Sequence, residues 1–441
     1  MQSKLLKGEL DLLALHQAQP TRYPFLLESV AKSSQNHYSL LFAFPQQTLS
    51  LNHLTEPSFV QQFDQYWQQA GVDDKVQQHL PFRGGWFVYL GYELAGQLEP
   101  SLQLPSSSKA LPIAVAVRIP AAIIVDHQAK TTTFIAEADF ADYLPIMWAD
   151  SQALPHLSLN SQALRLNLQE DLPELFLNGV QQIREYIAAG DVFQVNLSRA
   201  WQGELQSTHS AVDLYQRLRQ ANPAPFACLA QFPAFSIISS SPERLVRVEQ
   251  NVIETRPIAG TRPRGQDAAN DQALLQELIS HPKERAEHIM LIDLERNDLG
   301  RVCEYGSVKV DELMVIESYQ HVHHIVSNVR GHLKAGMTPG QVIRAVFPGG
   351  TITGCPKVRC MEIIAELEQV RREAYTGSVG YINHNGDMDF NILIRTMSLQ
   401  GQQLNFRTGA GIVIDSIAEN ELRETRHKAR GLLRALGYDA A

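Results

Sequence analysis

Apolar residues recur along the chain with two spacings, and the spacing assigns most of its elements. Pro112-Ile-Ala-Val-Ala-Val-Arg118, Ala121-Ala-Ile-Ile-Val-Asp126 and Thr131–Ala136 are alternating or apolar runs of strand length, the first two separated by Pro120. They predict a meander rather than a βαβ unit. Upstream, Ser58–Gly71 predicts a helix, and Gly84–Gly91 predicts a strand leaving a glycine turn. From Asp171 the apolar positions Leu175, Val180, Ile183 and Ile187 follow a helical period that ends at Gly190. Further strands are predicted over Val192–Ser198, Phe235–Ser239, Leu245–Val248, Ser378–Ile382, Asn391–Ser398 and Gln403–Arg407. Long helices are predicted over Asp271–Asn297, Thr338–Val346, Lys357–Val370 and Ile417–Leu436.

Helices and strands do not alternate regularly, so the expected class is α+β rather than a doubly wound sheet. Between Leu154 and Arg165 periodicity lapses without a Gly/Ser or Pro-rich run. A change of subdomain near residue 160 is expected there, giving an N-terminal part, 1–160, and a C-terminal part, 161–441. No internal repeat of solenoid length is present.

Composition narrows the class. The 441 residues are 44% hydrophobic and 19% charged, ordinary for a globular protein with a substantial core. A formal charge of -9 argues against a nucleic-acid footprint, which needs a basic face. It leaves room for a local basic pocket, for which Arg395, Lys357 and Lys428 are candidates. The best apolar stretch, Leu111–Val125, carries Arg118 and Pro120, so no bilayer span is expected, and the opening residues lack the apolar core of a signal peptide. Four cysteines without CxxC spacing suit a reducing cytoplasm.

Glu284 and Glu287 lie three apart in Pro282-Lys-Glu-Arg-Ala-Glu-His288, and Glu421 and Glu424 repeat that spacing. On a helix such residues share a face, so two faces brought together would make an all-oxygen site suited to Mg²⁺. Spacing alone favours the plainer reading, solvated faces paired with Lys283, Arg285, Arg423 and Arg426. Gly349-Gly-Thr-Ile-Thr-Gly354 is a glycine-rich turn running into a helix start, able to meet an anion, but without the Gly-Lys-Ser/Thr ending of a Walker loop. Gly409-Ala410-Gly411 is a second such turn. His321-Val-His-His324 lacks the further ligands of a zinc site, and a hydrogen-bonding role for one histidine is the better expectation.

Taken together, and in this order, Asp191–Ser198, Ser240–Arg244, Arg256-Pro-Ile-Ala-Gly-Thr-Arg262, Lys283–Asp298, Val322–Ser327, Phe347–Arg359, Tyr375–Ile382, Asp389–Thr396 and Gly409–Lys428 resemble the chorismate-utilising enzymes. These comprise anthranilate synthase component I, aminodeoxychorismate synthase component I, isochorismate synthase and salicylate synthase. The resemblance implies their fold: large antiparallel sheets packed as a sandwich with helices outside. It also implies that Glu287 and Glu424 ligate Mg²⁺, supported by Glu284 and Glu421. Tyr375 and Arg395 would hold a substrate carboxylate, Lys428 the carboxylate on the metal side, and Gly409, Ala410 and Gly411 the enolpyruvyl end. Glu243 matches the acid that protonates the departing C4 hydroxyl, with His324 and Thr351 beside the ring.

The resemblance also bears on the reaction. Isochorismate and salicylate synthases activate water and typically carry Lys where this chain has Gln194. Ammonia is already nucleophilic and needs no such base, so an aminating enzyme is implied. Ala259 stands where many aminodeoxychorismate synthases carry a covalent lysine, and PIAGT is the usual anthranilate synthase form. Against that, Phe347-Pro-Gly-Gly-Thr-Ile-Thr-Gly354 is similar to FPGGSITG rather than FPAGTVSG, Val322-His-His324 to VHH rather than VMH, and Met388-Asp-Phe-Asn-Ile392 to MDFNI rather than MDTCI. The expectation is an aminodeoxychorismate synthase component I of the PIAGT subclass, acting in p-aminobenzoate and folate synthesis, with anthranilate synthase as the alternative. A non-catalytic chorismate-binding module is disfavoured because both glutamate pairs and Glu243 are present. Ammonia would come from a separate glutamine amidotransferase, since no matching Cys/His domain is recognisable. Phe25–Ser29 and Asn222–Phe226 resemble tryptophan-binding segments, implying either a regulatory pocket at Leu27, Glu28, Ser29, Asn222 and Pro223 or, the simpler expectation, an apolar cleft filled for structural reasons.

Overall fold

The computed structural model describes residues 1–31, 37–71, 80–105, 111–154, 157, 164, 166–265, 267–318 and 322–438. Two large sheets dominate. The first, of twelve strands, runs in the order Gln2–Lys7, Thr131–Ala136, Ala121–Asp126, Tyr38–Ala43, Phe25–Glu28, Phe226–Gln231, Ser236–Ser241, Thr396–Gln400, Gln403–Ile412, Gln194–Glu204 and Gly354–Cys355, with Gln169–Glu170 added beside Gln194–Glu204. The second, of ten, runs Ile258–Pro263, Val322–His332, Val252–Thr255, Arg244–Glu249, Met388–Asn391, Ser378–Asn383, Gly85–Leu90, Ala114–Ile119 and Thr48–Leu51, with Lys309–Ser318 beside Val322–His332.

Both sheets draw strands from either side of residue 160: Phe25–Glu28 pairs with Phe226–Gln231, and Gly85–Leu90 with Ser378–Asn383, antiparallel in each case. The sheets face each other through an aromatic layer in which Phe25 of the first stacks on Phe87 of the second at 4.1 Å between centroids. Helices cover the outer faces. Leu12–Ala18, Ala211–Ala221 and Ala418–Ala435 pack on the first sheet, while Phe59–Gln69, Pro282–Val302 and Pro339–Val346 pack on the second. The α+β sandwich is therefore as expected.

Three elements differ from expectation. Gly409–Gly411, expected as a turn after a strand ending at Arg407, continues the strand Gln403–Ile412, because its pairing with Gln194–Glu204 runs on through Asn196 and Val195. The helix expected over Asp271–Asn297 is broken into Ala268–Ser280 and Pro282–Val302. Pro282 sits at the first helical position, and the residue before a proline is pushed out of the helical region, as His281 is at φ -68°, ψ 114°. The strand expected over Asn391–Ser398 is instead the end of Met388–Asn391 in one sheet and the start of Thr396–Gln400 in the other. Between them Arg395 adopts φ 50°, a left-handed conformation uncommon for a residue with a side chain. That crossing buries Ile392 and Leu393 in the cores of the two sheets and leaves Arg395 near Glu243.

Candidate active site

The site forms where the strand pair Gln194–Glu204 and Gln403–Ile412 meets the helices Pro282–Val302 and Ala418–Ala435. Asn196 lies opposite Gly411, and Ser198 opposite Gly409, so Gln194, Asn196 and Ser198 project from one face of their strand. The glycines are required by close approach. A Cβ on Gly411 would stand 2.4 Å from Gln194 Nε2, and one on Gly409 2.5 Å from Asn196 Oδ1 and 2.6 Å from Tyr375 Oη. Ala410 between them is fully buried. Gln194 Nε2 donates to Glu287 Oε1 at 3.0 Å, and Lys428 Nζ donates to the Gly409 carbonyl at 3.1 Å.

Glu243 follows directly on the strand Ser236–Ser241 and is 6% exposed. Burial pushes its carboxyl up to about 7; the Thr351 hydroxyl, the Ile258 amide and Lys428 pull down, and Glu295 adds to the rise. Neither Glu243 Oε1 nor Thr351 Oγ1 makes a well-directed hydrogen bond within the protein. A carboxyl that keeps its proton near neutrality, with an oxygen still open, is equipped to donate to a leaving group. His324, buried at 3% exposure, falls to about 4, chiefly by desolvation and then by the nearby Arg395 charge, so it stands as a neutral imidazole. Arg395 is lowered by burial and raised by Glu243; among the described residues its guanidinium forms no ion pair. A guanidinium left without an acid partner in such a setting is a hook for an anionic substrate group.

Ala259 lies opposite Ile325 at 5% exposure and presents only a methyl. The strand bulges at Gly260, φ 73°, where a Cβ would come within 2.9 Å of Glu284 Oε2. Arg262 from the same strand meets Glu284 at 3.2 Å and Glu277 at 3.1 Å, while Arg256 grips Glu312 and Glu317. The segment's two arginines thus tie the strand to its neighbours.

Glu287 of one acidic pair and Glu424 of the other share Lys428 as a neighbour. Desolvation lowers the Lys428 ammonium, but Glu424, which it contacts at 2.8 Å through Oε1, and to a smaller extent Tyr375 and Glu287 raise it above its ordinary value. Glu421 is largely buried on the same helix as Glu424. Among the described residues no three His, Cys, Asp or Glu side chains form a ready metal cage. Mg²⁺ does not need one, because it is commonly held by one or two carboxylates with waters and substrate oxygens filling its shell. Glu287 and Glu424 would be the two carboxylates of such a site, while Glu284 is engaged by Arg262.

This arrangement has relatives. Residues 23–434 match the family described as chorismate binding enzyme. The chain belongs to that family. It is 44% identical over 365 residues to aminodeoxychorismate synthase component 1 of Bacillus subtilis, covering 80% of this chain and 77% of the relative. It is 42% identical over 424 residues to an anthranilate synthase component I-like protein of Synechocystis, covering 93% and 86%. Among solved structures, anthranilate synthase component I of Streptococcus pneumoniae superposes with a TM-score of 0.80 at 31% identity, covering 91% of this chain and 93% of that one. The relatives are thus divided between aminodeoxychorismate synthase and anthranilate synthase component I.

Several expected residues of this chorismate binding enzyme stand elsewhere. Lys357 is taken up by Asp298 and is not part of a basic substrate pocket. His323 is bonded to Ser318 and Asp271, and His321 lies outside the described residues. Leu27, Glu28 and Ser29 do line a cavity of about 150 Å³ between the sheets, with Pro225 and Phe226. Asn222 instead bonds Ser240, and neither it nor Pro223 is in the lining. The cavity is not an apolar filler, for its walls carry the ion pairs Arg83–Asp387, Arg244–Asp389 and Arg247–Glu249.

Sequence reasoning overlooked Asn196, whose Oδ1 is buried without a partner beside Gly409, and Glu295, buried behind the Gly349–Thr353 turn. Alternation with Gln194 could have revealed Asn196. Nothing local distinguishes Glu295 from a solvated helix glutamate.

Proposed function

We propose that this enzyme aminates chorismate at C4, giving 4-amino-4-deoxychorismate, with ammonia supplied by a separate glutamine amidotransferase. Arg395 and Tyr375 bind one substrate carboxylate and Lys428 the other, while Gly409–Gly411 leave room for the enolpyruvyl group. Glu243 gives its proton to the C4 hydroxyl, which leaves as water as ammonia adds at C2. A second ammonia then adds at C4 as the protonated C2 amine departs as ammonia, which shifts the ring double bonds back to their original positions. Bound between Glu287 and Glu424, Mg²⁺ would offset the substrate's carboxylate charge and draw electron density from the ring. His324, neutral, lends a hydrogen bond without adding charge. Ala259 cannot form a covalent adduct, so free ammonia fills the nucleophile's role at C2.

The observation that carries C4 amination is the double-glycine turn. Gly349 stands where the anthranilate synthase pattern has Ala, and a Cβ there would lie 3.0 Å from Ile392 Cδ1, so the turn is packed around the glycine. Ala259 favours the second reading, anthranilate synthase. Incubation with chorismate, Mg²⁺ and ammonium, with and without aminodeoxychorismate lyase, separates them: p-aminobenzoate appearing only with the lyase supports C4 amination, and anthranilate with pyruvate refutes it. The ion-paired cavity at Leu27–Ser29 suits a small zwitterion with an apolar ring, which favours the tryptophan reading of that pocket over a structural filler.

A further inference from the structure

Glu295 lies eleven residues, about three helical turns, beyond Glu284 on the Pro282–Val302 helix. It is 6% exposed, and the catalytic scheme above gives it nothing to do. Its Oε2 accepts from the Thr255 hydroxyl at 3.0 Å, on the strand that leads into Arg256. The Gly350 amide also reaches it, and Oε1 lies 3.2 Å from where a Gly350 Cβ would be. One carboxylate therefore ties the helix of the acidic pair to the signature strand and to the turn that carries Thr351.

On the other side of that turn, Thr351 adjoins Glu243. The two buried carboxyls repel one another, so a single negative charge between them is favoured over two. Their surroundings differ. Glu295 Oε2 accepts the Thr255 hydroxyl at 3.0 Å and the Gly350 amide reaches the same carboxyl, whereas Thr351 and the Ile258 amide approach Glu243 without a well-directed bond to its buried Oε1. Around Glu295 stand Asp298 and its partner Lys357; around Glu243 stand Thr351, the Ile258 amide, Lys428 and Arg395. Hydrogen-bond donors favour the ionised form, and the open oxygen is where a proton can sit.

We propose that Glu295 is a positioning residue for the Glu243 acid: it anchors the Gly349–Thr353 turn and carries the negative charge of the pair, so that the proton stays on Glu243. The proposal rests on Glu243 serving as the acid of the reaction above.

E295Q retains an acceptor for Gly350 and a polar partner for Thr255 but removes the charge. The alkaline limb of kcat, followed as chorismate consumption whatever the product, should move about one pH unit lower, with KM for chorismate within about twofold. E295D keeps the charge on a shorter stem; its limb should stay near the wild-type position while kcat falls as the turn shifts. If Glu295 were only structural, both variants would lose stability and leave the limb in place, which would overturn the proposal. Infrared titration of the resting protein decides the matter without turnover. The carboxylic C=O band present at neutral pH should vanish in E243Q; if it survives there and vanishes in E295Q, the proton is on Glu295 and the proposal fails. Because that measurement needs no product, its outcome is separable from the fate of the amination assignment.

Discussion

Replacing Glu243 by Gln should make the protein more stable in alkaline solution while removing its activity. The carboxyl titrates at about 7 rather than at its ordinary 4.5. At 1.36 kcal/mol per pH unit, this difference withholds about 3 kcal/mol from the folded state above pH 7. Below about pH 4.5 both folded and unfolded chains hold the proton, so nothing is lost there. Between 4.5 and 7 only the unfolded chain releases it, and stability falls as pH rises. Above 7 the loss is complete. A glutamine is neutral throughout and of similar shape, so E243Q escapes this penalty. Urea denaturation of wild type and E243Q at about pH 5 and about pH 8.5 should show the variant gaining by up to about 3 kcal/mol at the higher pH and little at the lower. Turnover should fall by about 10²- to 10⁴-fold. A stability difference that does not change between the two pH values would refute the assignment of a buried, protonated carboxyl.

Gly409→Ala places a Cβ 2.6 Å from Tyr375 Oη, so reaching the 3.4 Å of ordinary contact displaces the site by about 0.8 Å; kcat/KM should fall about 10²-fold, and steady-state kinetics on protein whose melting curve shows it still folded checks it. Arg395→Ala removes a cation with no ion-pair partner among the described residues, so KM for chorismate should rise about 10- to 10²-fold while thermal stability is unchanged or improved. Glu424→Gln should weaken the Mg²⁺ dependence of turnover, and a Mg²⁺ titration curve identical to wild type would dismiss Glu424 as a ligand. Tryptophan should raise the melting temperature of the wild type and not of a variant with Arg244 and Arg247 replaced by Ala, if the cavity between the sheets binds it.

The strands Ala121–Asp126 and Thr131–Ala136 and the helices Phe59–Gln69 and Ala418–Ala435 were legible because each carries its own apolar period and its own punctuation. The break at His281-Pro282 was also written in the chain, in the proline itself. The acidic pairs were legible as pairs, but their spacing could not separate a metal site from a solvated face, and only the ordered set of motifs tipped the balance.

What the sequence determined by itself was local: which segments extend, which coil, and which residue types could bind a dianion or give up a proton. It also determined that no lysine occupies position 259, and hence that covalent capture there is closed. Tertiary structure alone decided which of these groups share a site. Lys357 was claimed by Asp298, Arg395 was left without an ion-pair partner by a chain that changes sheets, and Glu295 was drawn in behind Glu243. The reason is that desolvation and charge pairing act through space between segments far apart in the chain, and no local pattern records them.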